Sequence, residues 1–193
     1  MTKRYLFDNE EWVNDFIYAR APHTRANAKY PSHSQGVLKN QFNPEINEED
    51  YVSLISKKVY GSGTEINVTC SFTGTGAPCL VFTNDLSEGE DFPEYGLHFE
   101  VCIYSGGVNV WHIIRFPERT HRPIKPTKIF FDKWPVPEEG VSCSVRIEKG
   151  RIRIAIEGRE YIVENPDIPE SFRVGFTACE GPCGFSEFGI KEA

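Results

Sequence analysis

Apolar and polar positions alternate most cleanly through residues 95–115, in two runs separated by Gly106-Gly107. Alternation with period two marks a half-buried strand, and paired glycines between two such runs mark a tight hairpin. With Gly106-Gly107 as the loop, Ser105 faces Val108, Tyr104 faces Asn109, Cys102 faces Trp111, Glu100 faces Ile113 and His98 faces Arg115. Phe99, Val101 and Ile103 then share the core-directed face with Val110, His112 and Ile114. A slip of one residue would exchange the faces. The register with Trp111 outward is preferred, because the other buries His98 and Glu100 as well.

The same period recurs along the chain. Residues 64–72 place Ile66, Val68, Cys70 and Phe72 on one side, and residues 79–83 read as a more fully buried strand. Residues 142–148 and 151–157 form a second hairpin around Lys149-Gly150, pairing Val145 with Ile154, Ile147 with Ile152 and Cys143 with Ile156. A following turn at Gly158-Arg159 sets Tyr161 opposite Ile156 and Val163 opposite Ile154, so one apolar face continues through three strands. Short strands are also expected near residues 36–42, 51–57, 128–131, 172–178 and 185–190. About ten strands, no long helix and no repeat predict an all-β, two-sheet antiparallel β-sandwich or jelly roll.

Residues 10–18 fit a short helix or a strand. Residues 19–34 read as an irregular loop carrying Arg20, His23, Arg25, Tyr30 and His33. A chain of 193 residues suits a single domain over 1–193, with residues 1–35 as an N-terminal segment packed on the sandwich. A net charge of −7 argues against a nucleic-acid or anionic-membrane surface. The one concentrated basic stretch holds Arg115, Arg119, His121, Arg122, Lys125 and Lys128 among three prolines, and reads first as an exposed loop. The basic start is not followed by the apolar segment of a signal peptide or membrane helix, so a cytoplasmic location is expected. Six cysteines in strand-like or turn positions are read as free thiols, with disulfides open to an oxidising compartment.

Chemical motifs are few. Cys179 and Cys183 are separated by three residues and lack a second ligand pair, so no metal and no cofactor is expected. The acidic stretch around Asp85, Glu88, Glu90 and Asp91 lacks the calcium-loop spacing. No nucleophile elbow, phosphate loop or dinucleotide glycine pattern occurs. Glu100 and Glu187 are strand carboxylates that could pair in a glycosidase, which needs two about 5–10 Å apart. The stronger signal is Trp111 with Tyr104 beside Glu100, His98, Asn109 and Arg115, because flat rings next to hydrogen-bonding groups suit sugars.

The stretches 95–101, 106–111, 141–163, 174–181 and 185–190 together resemble the concanavalin A-like lectin/glucanase superfamily, particularly its laminin-G-like jelly rolls. The resemblance covers roughly residues 60–190. It implies two curved antiparallel sheets whose concave face receives carbohydrate. The glucanase branch carries a Glu-x-Asp-x-x-Glu strand; here Cys102 stands two residues after Glu100, where the Asp is required. The expectation is therefore non-catalytic carbohydrate binding through Trp111, Tyr104, Glu100, His98, Asn109 and Arg115. The alternatives are a glycoside-active enzyme using Glu100 with a second carboxylate such as Glu187, and an intracellular protein-interaction module. The expected partner is a carbohydrate or sugar derivative, with no nucleic acid and no membrane; the oligomeric state stays open.

Overall fold

A computed structural model describes residues 2–20, 31–40, 52–88, 93–116 and 124–193. The strands in chain order begin with β1 (Thr2–Tyr5), β2 (Phe16–Arg20), β3 (Ser32–Ser34), β4 (Val37–Lys39), β5 (Val52–Ser56) and β6 (Tyr60–Gly61). There follow β7 (Thr64–Phe72), β8 (Ala77–Thr83), β9 (Leu86–Glu88), β10 (Pro93–Tyr95), β11 (His98–Tyr104) and β12 (Gly107–Arg115). The last are β13 (Ile124–Lys133), β14 (Val141–Glu148), β15 (Arg151–Ile156), β16 (Arg159–Glu164), β17 (Ser171–Cys179) and β18 (Cys183–Lys191). One sheet runs β16-β15-β14-β7-β18-β4-β3, with β1 also on β18; the other runs β13-β12-β11-β8-β17-β5-β2-β10-β9, with β6 on β17. The all-β two-sheet sandwich is as the alternation predicts. All described pairings are antiparallel apart from the single parallel contact of β10 with β2.

The main core lies between the sheets. It takes Ile66, Val68, Val145, Ile154 and Phe188 from the first sheet, and Leu80, Phe82, Phe99, Val101, Val110 and Phe176 from the second. On three neighbouring strands Phe82, Phe99 and His112 stack nearly parallel, with ring centroids 5.1 Å and 4.4 Å apart. This ladder stiffens the strands whose opposite faces carry His98, Glu100 and Trp111.

The second sheet is rolled. Between β11 and β10 lie β8, β17, β5 and β2, so a flat sheet would separate them by roughly 24 Å. Yet only Gly96 and Leu97 join Tyr95 to His98, a reach of about 11 Å at most. The sheet must curl for the connection to close. It curls on the side away from the main core, because Ala19, Ile55, Val81 and Tyr95 pack there as a second, smaller apolar cluster. Asp85 accepts the Leu97 N–H at 2.7 Å, and the Thr83 hydroxyl donates to the Leu97 carbonyl at 2.6 Å, which pins the bridging segment.

Several expectations are corrected. The first hairpin turns at Ser105-Gly106, and Tyr104 pairs with Gly107, Cys102 with Asn109, Glu100 with Trp111 and His98 with Ile113. Gly107 already belongs to the ladder: its φ is +141°, and a Cβ there would lie 1.9 Å from the Asp132 carbonyl oxygen. It serves the close approach of β13, not the turn. The shift is two residues, so each side chain keeps its face. The last meander turn is Glu157-Gly158, pairing Tyr161 with Ile154 and Val163 with Ile152. Both central residues have positive φ, as a primed turn requires, and the expected alternative would have forced Arg159 there. The Lys149-Gly150 hairpin has the expected register.

The N-terminal segment contributes strands to both sheets, through β1 on β18 and β2 beside β5. A single 3-10 turn at Glu11–Asn14 precedes β2. β13 is longer than residues 128–131 and contains Pro126, tolerated because β13 is an edge strand. His23, Arg25 and Tyr30, the acidic pair Glu90 and Asp91, and the basic Arg119, His121 and Arg122 lie outside the described residues. No helix among the described residues is long and apolar enough to cross a membrane.

Candidate functional site

Strand pairing arranges the inner face of the rolled sheet in rows. One row reads Thr177, Cys79, Cys102, Asn109 and Phe131 across β17, β8, β11, β12 and β13. The next reads Ile17, Ile55, Gly175, Val81, Glu100, Trp111 and Lys128, from β2 to β13. A third reads Arg173, Thr83, His98, Ile113 and Pro126. Glu100 is the only carboxylate in these rows.

Exposure divides the face. Toward β5 and β2 it is closed: Ile55, Val81, Tyr95 and Ser53 are fully buried, and the Tyr95 and Ser53 hydroxyls are 2.6 Å apart. Toward β12 and β13 it opens, with Asn109 and Trp111 half-buried and Phe131 59% exposed. Glu100, at 16% side-chain exposure, marks the boundary.

The structure brings His98, Glu100, Asn109 and Trp111 together on β11 and β12. His98 is fully buried against the Tyr95 ring, at a centroid distance of 4.7 Å, and so lies behind the accessible surface. Its Nδ1 donates to the Gly96 carbonyl at 2.7 Å, an oxygen that can only accept. Its Nε2 meets Glu100 Oε1 at 3.1 Å, which holds the carboxylate in place. Asn109 has a buried Oδ1 without a hydrogen-bond partner among the described residues. Lys128 places its ammonium 4.8 Å from the Trp111 ring centroid and 5.8 Å from that of Phe131.

Tyr104 and Arg115 sit at the two ends of this patch. Tyr104 is half-buried and its ring covers the Gly106 turn. Arg115 closes the far end of β12, where its Nη2 pairs with Glu94 at 2.8 Å. From Asn109 to Arg115 the strand rises by roughly 20 Å, so the six predicted positions form an extended strip. Glu187 is not part of it: β18 belongs to the other sheet, and Glu187 pairs there with Arg4 at 2.5 Å. The alternative in which Glu187 serves as the second carboxylate beside Glu100 is therefore overturned. His112 faces the main core, where burial pushes its imidazole below the ordinary value despite Asp167 at 3.9 Å.

Two members of the strip escape simple alternation. Lys128 and Phe131 are three residues apart and period two sets them on opposite faces. A bulge at Ile129 opposes Phe130 to Val110 and Lys128 to Trp111, so both face outward from the core. The exposed Phe131 beside the inward Phe130 was the available signal, but it is readable only once the bulge is known. Cys79 is likewise legible as a strand residue and not as a neighbour of Cys102.

The sequence matches no protein-family model and no curated protein. Its structure is similar to the Bacillus licheniformis beta-glucanase, with a TM-score of 0.64 at 12% identity over 100% of this chain and 98% of that one. It is similar to the carbohydrate binding module CBM66 from Bacillus subtilis, with a TM-score of 0.58 at 12% identity over 87% and 96% of the two chains. A Bacillus subtilis protein of unknown function with a galectin-like fold aligns with a TM-score of 0.62 at 13% identity over 100% and 98%. At these identities the likeness is one of fold, and the fold is the concanavalin A-like jelly roll.

Proposed function

We propose that the inner face of the rolled sheet binds carbohydrate without cleaving it. The observation that carries this reading is Trp111, held outward on the open flank directly across from Glu100. A sugar stacks its C–H face on an indole while its hydroxyls donate to carboxylate and amide oxygens. Glu100 and the unpartnered Asn109 Oδ1 offer such acceptors, and Phe131 extends the apolar platform. His98 positions Glu100 and does not touch the ligand. Tyr104 and Arg115 bound the strip and contact only an extended oligosaccharide. The carbohydrate-binding module and the beta-glucanase of similar fold give this class of ligand its support.

Binding is favoured over hydrolysis by the lone carboxylate in the three rows. Paired-carboxylate cleavage needs a second carboxyl group about 5–10 Å from the first. Titration of an oligosaccharide panel, neutral and acidic, followed by tryptophan fluorescence and by chromatography of the sugars, tests both points. The expected result is a saturable change with at least one glycan, a tenfold or greater loss of affinity in Trp111→Ala, and no new sugar products. Trp111→Ala binding as tightly as the parent, or silence across the whole panel, would sink the proposal.

A further inference from the structure

We infer that Cys79, Cys102 and Glu100 form a binding site for a thiophilic metal ion, of which zinc(II) is the representative. This goes beyond the carbohydrate reading and draws on two of the same groups, Glu100 and Asn109. The two cysteines are 23 residues apart in sequence, and no ligand spacing announces them. Pairing of β8 with β11 sets them directly opposite each other, with Sγ atoms 2.9 Å apart. Glu100 stands two residues before Cys102 on the same face. One donor atom from each of the three residues lies within 4.8 Å of the others. Zinc binds thiolate at about 2.3 Å and carboxylate oxygen at about 2.1 Å, so tetrahedral donors lie roughly 3.5–3.8 Å apart. The two thiols, 2.9 Å apart, must separate by about 0.9 Å to reach that spacing.

The surroundings suit a bound cation better than three packed side chains. Metal-binding carboxylates are held by outer hydrogen bonds that fix their direction. His98 does this for Glu100, and is itself fixed by the Gly96 carbonyl. Asn109, directly opposite Cys102, carries a buried Oδ1 with no hydrogen-bond partner among the described residues, an acceptor that a metal-bound water would suit. Three protein ligands leave a fourth position open, the pattern of zinc sites that bind water or ligand and not of closed structural ones. Metal binding converts both thiols to thiolates and releases their protons to solvent.

The full chain, reduced with a non-thiol phosphine and stripped by chelator, is titrated with cobalt(II) and then zinc(II). The expected result is thiolate-to-cobalt charge-transfer absorption saturating at one equivalent and displaced by zinc. Affinity falls at least a hundredfold in Cys79→Ser and in Cys102→Ser and is unchanged in Cys70→Ala, whose thiol lies on the other sheet. Native mass spectrometry of the parent chain, with and without zinc, needs no variant to fold: it must show one zinc bound with two protons displaced. Absence of the thiolate band, its persistence in Cys102→Ser, or recovery of an unreduced Cys79–Cys102 disulfide that takes no metal overturns the inference. Loss of glycan binding without loss of metal binding would sink only the carbohydrate reading, and the converse only this one.

Discussion

At the scale of single residues, polar groups on the two faces of β11 and β12 meet different environments. His112 lies on the core face, 5% exposed and stacked on Phe99. Burial lowers its tendency to protonate, the nearby His98 adds to this, and Asp167 only partly offsets it. The unfolded chain takes up a proton near pH 6.5 while the folded state resists it, so stability is full above that pH. It is lost progressively as pH falls from about 6.5 through the lower folded value. Thermal melts between pH 7.5 and 5 should show a falling midpoint, and His112→Phe should flatten that slope; a parallel slope in the variant would remove His112 as the cause. Burial acts in the opposite direction on the thiols of Cys70 and Cys143, which it raises, that of Cys70 to about 12. They should stay unmodified by an alkylating reagent at pH 7.5 in the folded protein, as peptide mapping can establish.

At the scale of elements, alternation specified which side chains share a face, while the turns specified which of them are neighbours. A two-residue displacement of the first hairpin left Trp111, Glu100, His98 and Asn109 on one side yet changed every partner. The displacement was hidden because Gly107 reads as a turn glycine when its role is steric, against the backbone of β13. Gly107→Ala should cost about 2–4 kcal/mol through strain at positive φ and collision with Asp132. Urea unfolding would register this as a lower midpoint, and an unchanged midpoint would show that β13 can move away. The bulge at Ile129 had no sequence signature, so Lys128 and Phe131 were not recognised as companions of Trp111.

At the scale of the whole molecule, the N-terminal segment ties both sheets together. β1 lies on β18 of one sheet and β2 separates β5 from β10 in the other. Phe7 and Phe16 pack against Phe176 at centroid distances of 5.7 Å each, and Phe16 also meets Phe188 at 5.7 Å. Deleting residues 1–20 removes these rings and opens the roll beside Tyr95. The truncated chain should lack a cooperative thermal transition and elute as aggregate in size-exclusion chromatography. A monomer with a sharp transition would mean that the segment is only an accessory. Sequence pattern could not distribute this region between sheets, because short strands of two to five residues carry too little alternation to name their partners.

The sequence by itself determined the fold class and the two faces of each long strand, since period two is a local property that survives small errors of register. It also placed His98, Glu100 and Asn109 on the face of Trp111, though not Lys128 and Phe131. Tertiary structure alone decided what those groups meet: that Glu187 belongs to the other sheet, that Tyr95 closes the side toward β5 and β2, and that Cys79 lies against Cys102. Such neighbours follow from strand order and from the roll imposed by a two-residue connection, both long-range consequences of packing. No local pattern encodes them.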